Sequence, residues 1–240
     1  LIARASASRA GLALLLLAPW GPRAAAGAEA PPVVIVSLGD STTAGTPFFL
    51  SPLEAPPDGE GDASAPYPAA LAALRPGWRV LNRGVDGERA DEIRARFDRD
   101  VFAASPRFVV ILAGVNDAYQ GRAAAATEAD LLWMYERAAR RGVEPVLATI
   151  MPFTRATPEQ SARIRELNAW IAKTAAARGW GLADLHAAVA AADDPDRLAA
   201  SADGLHPDRA GYAAAARAVA KAIDARLARK KKAARLWLER

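Results

Sequence analysis

The sequence predicts an α/β fold, a three-layer α/β/α sandwich around a mostly parallel five-stranded sheet. Three observations predict it. Short, continuous apolar and β-branched runs recur along the chain, and stretches of helical length separate them. Strands that alternate with such helices need crossover connections, and these cover both faces of a parallel sheet. Finally, 52% of the 240 residues are apolar, enough for one substantial core and a single domain with short extensions.

In chain order, residues 1–28 come first. Arg4 and Arg9 precede the apolar run Leu12 to Ala18, and Ala26-Gly27-Ala28 fits a small-x-small cleavage site. This is the pattern of a signal peptide cut before Glu29, which places the mature protein in the periplasm or outside the cell. The apolar run is too short for the roughly 20 residues that span a bilayer. The domain is expected at 29–228. Its strands are read at 33–36, 78–81, 108–112, 143–150 and, on a weaker signal, 181–185. Helices are read at 67–74, 90–102, 128–141, 158–178 and 207–228.

Residues 46–66 break this rhythm, being rich in Pro, Gly and acids with Phe48-Phe49-Leu50 at the front. The stretch is too long for an ordinary βα connection. It reads equally as a loop near the ligand-binding edge of the sheet and as a disordered surface insertion. At 229–240 a basic tail ends in Leu236-Trp237-Leu238. It is expected to be a solvated helix end with lysines at the negative end of the helix dipole, a role favoured over contact with an anionic membrane.

The formal charge of +4 resides at the two ends. Between them 22 basic residues face 26 acidic ones, a poor surface for gripping phosphate backbones, so no nucleic-acid partner is expected. There is no cysteine, which excludes disulfides, thiolate chemistry and Cys-based metal sites.

Four separated segments carry potential chemistry. Gly39-Asp40-Ser41 follows the first strand, where a serine hydroxyl faces the crevice, although Asp and Ser there also serve as plain turn or cap residues. Asn82-Arg83-Gly84-Val85-Asp86-Gly87 follows the second strand; its glycines permit close backbone approach or simply a tight turn. Gly114-Val115-Asn116-Asp117 follows the third, where an amide side chain either donates into the crevice or caps the next helix. Asp203-Gly204-Leu205-His206-Pro207 precedes the last helix. Pro207 fits the first helical position and biases His206 to an extended conformation, with Asp203 in reach of the ring nitrogen that faces away from substrate. The other histidine, His186, reads as structural or surface. Asp193, Asp194 and Asp196 read as a solvated loop, lacking the spacing of a calcium loop. The sequence contains no Gly-x-Ser-x-Gly elbow, Walker loop, His-Glu-x-x-His or Gly-x-Gly-x-x-Gly after a strand.

In order and separation the four segments resemble blocks I, II, III and V of the SGNH/GDSL hydrolases, and the resemblance runs from about residue 33 to 222. It implies a flavodoxin-like fold, no metal or organic cofactor, and a small-molecule, lipid or glycan ester as substrate. By motif, Ser41 resembles the nucleophile, Asp203 and His206 its acid and base, and Asn116 the side-chain oxyanion donor. An Asn followed five residues later by Gly matches Asn82 and Gly87, which makes Gly87 the oxyanion glycine with Gly84 as fallback. Thr42 departs from the namesake leucine, a feature of some carbohydrate-deacetylating relatives. The expected activity is carboxylic ester hydrolysis through an acyl-enzyme on Ser41. Alternatives are a carbohydrate deacetylase, a thioesterase or lysophospholipase, or a non-catalytic module that holds its ligand at Ser41-Thr42-Thr43.

Overall fold

The computed structural model describes residues 31–239, so the expected signal peptide lies outside the described residues. The apolar run at 33–36 continues as strand β1 (Val33–Gly39) and hands over at Asp40 to a one-turn helix, α1 (Ser41–Ala44). The 46–66 stretch is ordered, with β2 (Phe49–Leu50) paired antiparallel to β3 (Glu60–Gly61). Next come α2 (Tyr67–Leu74), β4 (Trp78–Gly84), α3 (Ala90–Ala95), α4 (Phe97–Phe102), β5 (Phe108–Leu112) and α5 (Val115–Tyr119). The second half holds α6 (Ala124–Arg140), β6 (Glu144–Ala148), α7 (Pro158–Arg178), β7 (Gly181–Ala183), α8 (Leu185–Val189) and α9 (Arg209–Leu238).

Five strands form one sheet in the order β4-β1-β5-β6-β7, with every neighbouring pair parallel. Alternate residues of each strand serve opposite cores, as the pleat requires. In β5, Val109 and Ile111 pack with Ile93, Phe97 and Leu131 of α3, α4 and α6, while Phe108, Val110 and Leu112 pack with Tyr67, Leu71 and Tyr212 of α2 and α9. The sheet is therefore the middle of three layers. From β1 the chain moves to β4 on one side and then crosses to β5 on the other. That reversal opens a crevice outside the carboxyl end of β1, where ligands of open α/β sheets bind.

Several boundaries differ from the sequence expectation for physical reasons. Strand β4 runs three residues past 81, because Asn82, Arg83 and Gly84 continue the parallel ladder opposite Ser37, Leu38 and Gly39. The helix expected at 90–102 is broken at Arg96, whose buried guanidinium is drawn to backbone carbonyls of the sheet. Helix α9 starts at Arg209 instead of Pro207, because Asp208 caps it by accepting from the Gly211 amide at 2.7 Å. It runs past 228 to Leu238, since the 229–238 segment holds only residues compatible with helix, mostly Ala, Lys, Arg and Leu. Glu144 of β6 anchors it by pairing with both Arg226 and Lys230. Among the described residues no helix is long and apolar enough to cross a membrane.

The 46–66 insertion owes its order to distant partners. The Tyr212 hydroxyl donates to the Thr46 carbonyl at 2.6 Å, Arg209 pairs with Asp62 at 2.8 Å, and the buried Ser51 hydroxyl donates to the Gly84 carbonyl at 2.5 Å. The disordered reading of this segment is thereby overturned. The Arg209 guanidinium also lies 4.2 Å from the centre of the Phe48 ring.

Candidate active site

Where β1 ends, Asp40 is extended and caps α1, which turns the chain sharply and presents Ser41 at the head of the crevice. One carboxylate oxygen of Asp40 accepts from the Thr42 amide at 3.0 Å and the Thr42 hydroxyl at 2.6 Å. Thr42, the departure from the namesake motif, is thus a partner of the cap. The second Asp40 oxygen is buried and has no partner among the described residues. Burial pushes the Asp40 carboxyl up to about 6, against the Thr42 hydrogen bonds that pull it down.

That shift has a sign. The folded protein takes up the Asp40 proton at a higher pH than the unfolded chain, so this group favours folding below pH 4 and loses that advantage as pH rises through 6. Asp40→Asn keeps an oxygen acceptor for Thr42 and removes the buried charge. In urea unfolding it is expected to gain stability relative to the parent by an amount on the order of 2 kcal/mol at pH 7.5, with the gap closing near pH 4. Parallel stability curves for the two proteins would contradict this assignment.

The expected base, His206, and its partner Asp203 come from the loop before α9. One Asp203 oxygen accepts from the Leu205 and His206 amides, both at 2.8 Å, and from the Ser201 hydroxyl at 3.1 Å. The other lies 2.7 Å from His206 Nδ1, and His206 Nε2 lies 3.0 Å from Ser41 Oγ. Burial pushes the Asp203 carboxyl upward, but the hydrogen bonds from the His206 ring and the two amides outweigh it and hold the group well below the usual carboxylate range. With Asp203 ionised, the proton sits on Nδ1 and Nε2 faces the serine hydroxyl as an acceptor. Ser41, Asp203 and His206, 165 residues apart at the extremes, are therefore brought into one continuous relay.

Opposite them lie the other two segments. The Asn116 amide donates to the Glu88 carbonyl at 3.0 Å, which orients it and leaves its second N–H uncommitted. Gly87 has φ of 75° in the 85–89 loop, a conformation that L side chains rarely adopt. Among the described residues neither the Ser41 nor the Gly87 amide has a hydrogen-bond partner. Gly84, the fallback, has a different duty: a Cβ there would lie 2.1 Å from the Ala44 backbone nitrogen, so glycine is what lets α1 seat against β4. A cavity of about 180 Å³ joins Ser41, His206 and Asn116 to an apolar wall of Val115, Tyr119, Phe153 and Leu205.

Two features of this region had no clear signal in the sequence. Arg96 is 8% exposed and donates to the Gly39 and Arg83 carbonyls at 2.9 and 3.0 Å, while pairing with Glu88 and Asp100. Nothing in the local pattern separated it from Arg94 or Arg99. Asp117, beside Asn116, is fully buried and accepts from the Ala90 amide, Arg122 and Thr127, so it fixes the far end of the 85–89 loop. His186 lies apart from the relay, its Nδ1 3.0 Å from the Ile150 carbonyl and 3.2 Å from the Asn168 amide nitrogen, in the structural role expected of it. In the acidic loop Asp196 pairs with Arg165, and the Asp194 carboxylate accepts from the Asp196 amide.

Residues 37–214 match the profile of the GDSL-like Lipase/Acylhydrolase family, a span that holds all four segments. The chain belongs to this family. An acetylxylan esterase of Geobacillus stearothermophilus is 37% identical over 73 residues, which cover 27% of this chain and 33% of the relative. The chain spans about a third of the length of the curated relatives it matches. Solved structures extend the GDSL likeness to the whole fold. The lipase/acylhydrolase from Enterococcus faecalis superposes with a TM-score of 0.65 at 25% identity, over 80% of this chain and 96% of that one. Axe2, an acetylxylan esterase from Geobacillus stearothermophilus, gives 0.63 at 25% identity, over 79% of this chain and 93% of that one.

Proposed function

We propose that the protein is a serine hydrolase of carboxylic esters that works through an acyl-enzyme on Ser41. The observation that carries this is the unbroken relay from Asp203 to His206 to Ser41, at 2.7 and 3.0 Å. His206 takes the serine proton as Ser41 Oγ attacks the ester carbonyl, and Asp203 stabilises the imidazolium that forms. The tetrahedral oxyanion is held by the Ser41 and Gly87 amides and the Asn116 side chain, donors preorganised before charge develops. His206 then protonates the leaving alcohol. Water, activated by the same imidazole, releases the acid and restores Ser41.

The cavity's modest volume fits a short acyl group against Val115, Phe153 and Leu205. A deacetylase of carbohydrates is the favoured form of this activity: Tyr119, 58% exposed at the mouth, offers a ring face to a sugar, and acetylxylan esterases are among the relatives. Export through the 1–28 segment puts the enzyme where such polymers are found.

A fluorophosphonate probe tests the proposal. The wild-type protein is expected to be labelled at Ser41 and Ser41→Ala to be unlabelled. Persistent labelling of the variant, or none of the parent, would favour a module that binds without cleaving. A panel of p-nitrophenyl esters beside acetylated xylo-oligosaccharides reads the acyl preference, with acetyl expected to exceed octanoyl.

A further inference from the structure

The 46–66 insertion reaches the loop that carries Gly87 through one carboxylate. Ser51 is fully buried, and residues 51–55 wind into a single turn in which the Glu54 and Ala55 amides donate to the Ser51 carbonyl at 2.9 Å. Within that turn one Glu54 oxygen accepts from the Ser51 amide at 3.0 Å, and the other accepts from the Asp86 amide at 2.8 Å. The Ser51 hydroxyl meanwhile donates to the Gly84 carbonyl. The insertion thus grips the chain at 84 and at 86, immediately ahead of Gly87. On the other side, Arg96 holds Arg83 and Glu88, and Asp117 holds Ala90. Between these anchors, among the described residues, Glu54 is the only side chain that bonds the backbone of residues 85–87, at the Asp86 amide one peptide ahead of the Gly87 N–H.

We propose that Glu54 is a positioning residue, which aims the Gly87 amide at the oxyanion by fixing the peptide before it. This rests on the acyl-enzyme reading above, in which Gly87 supplies one of three donors. A hydrogen bond to a carboxylate is shorter and about twice as strong as a neutral one, so Glu54 resists the drift of an exposed loop. Gly87 sits at φ of 75°, and without that hold the chain just ahead of its N–H is tied only at Val85, whose amide donates to the Gly39 carbonyl at 3.1 Å. Misplacing a catalytic group by about 1 Å costs on the order of a hundredfold in rate. Glu54 does not line the cavity, so it acts through the Gly87 amide.

The test compares Glu54→Ala and Glu54→Gln with the wild-type protein on p-nitrophenyl acetate. Glu54→Ala is expected to lower kcat about 10- to 100-fold with KM within about twofold, and to slow fluorophosphonate labelling of Ser41 in parallel, because that reaction uses the same donors. Glu54→Gln keeps one acceptor oxygen but turns its NH2 toward either the Ser51 or the Asp86 amide, and is expected to give a kcat between those of Glu54→Ala and wild type. Thermal melting separates the alternatives: a purely structural role would lower Tm in both variants without the split between kcat and KM. The proposal is overturned if Glu54→Ala keeps kcat within twofold. A wild-type protein that neither hydrolyses the ester nor takes the label would instead remove the hydrolase reading itself, and the two failures are distinguishable.

Discussion

His206→Ala is expected to lower kcat on p-nitrophenyl acetate by about a million-fold, leaving on the order of a thousand-fold over the uncatalysed reaction. The size follows from how the triad works as a unit. Among the described residues His206 Nε2, 3.0 Å away, is the one ring nitrogen facing the Ser41 hydroxyl, and the other histidine is committed to Ile150 and Asn168. Without Nε2 the hydroxyl keeps its proton at neutral pH and remains a poor nucleophile. What survives is the contribution of substrate binding and the oxyanion donors. Because Asp203 is tied separately to two backbone amides and to Ser201, the loop is expected to keep its shape in the variant, with Tm close to that of wild type. A folded His206→Ala enzyme retaining a hundredth of the parent rate would refute the assigned base.

Asp203→Asn is the subtler counterpart, with an expected loss of about ten-thousand-fold in kcat and little change in KM. An asparagine oxygen still accepts from the Leu205 and His206 amides. Its NH2 then occupies the position of the oxygen that faces Nδ1, and as a donor it requires Nδ1 to be the unprotonated nitrogen. The imidazole proton moves to Nε2, where it points at Ser41 and blocks proton abstraction. Single-turnover kinetics with p-nitrophenyl acetate checks this: acylation itself is expected to be slowed. Acylation at the wild-type rate would mean that Asp203 orients the loop and not the tautomer.

The layers and the relay were legible in the sequence because each rests on local information. A run such as Val33-Val34-Ile35-Val36 reads as a buried strand without knowledge of its neighbours, and Ser41 and His206 lie in short motifs whose order and spacing place them at strand and helix ends. Less was legible where distant partners decide. Asn82 to Gly84 looked like loop by composition, yet pairing with β1 holds them in the sheet. The break at Arg96 follows from carbonyls at Gly39 and Arg83, far away along the chain. The insertion has no periodicity of its own, and its order comes from Gly84, Arg209 and Tyr212. The long α9 was under-read because the basic composition at 229–238 resembled a tail, although its residues are good helix formers.

Arg96 has a consequence for how such an enzyme diverges. One guanidinium spans the ends of two neighbouring strands, so Ser41 and the loop that carries Gly87 share a foundation. Tyr119 and Phe153 stand on other segments and take no part in that foundation. New specificities can therefore be won by rebuilding the walls while the reactive machinery stays in register, which separates inheritance of the chemistry from choice of the molecule it acts on.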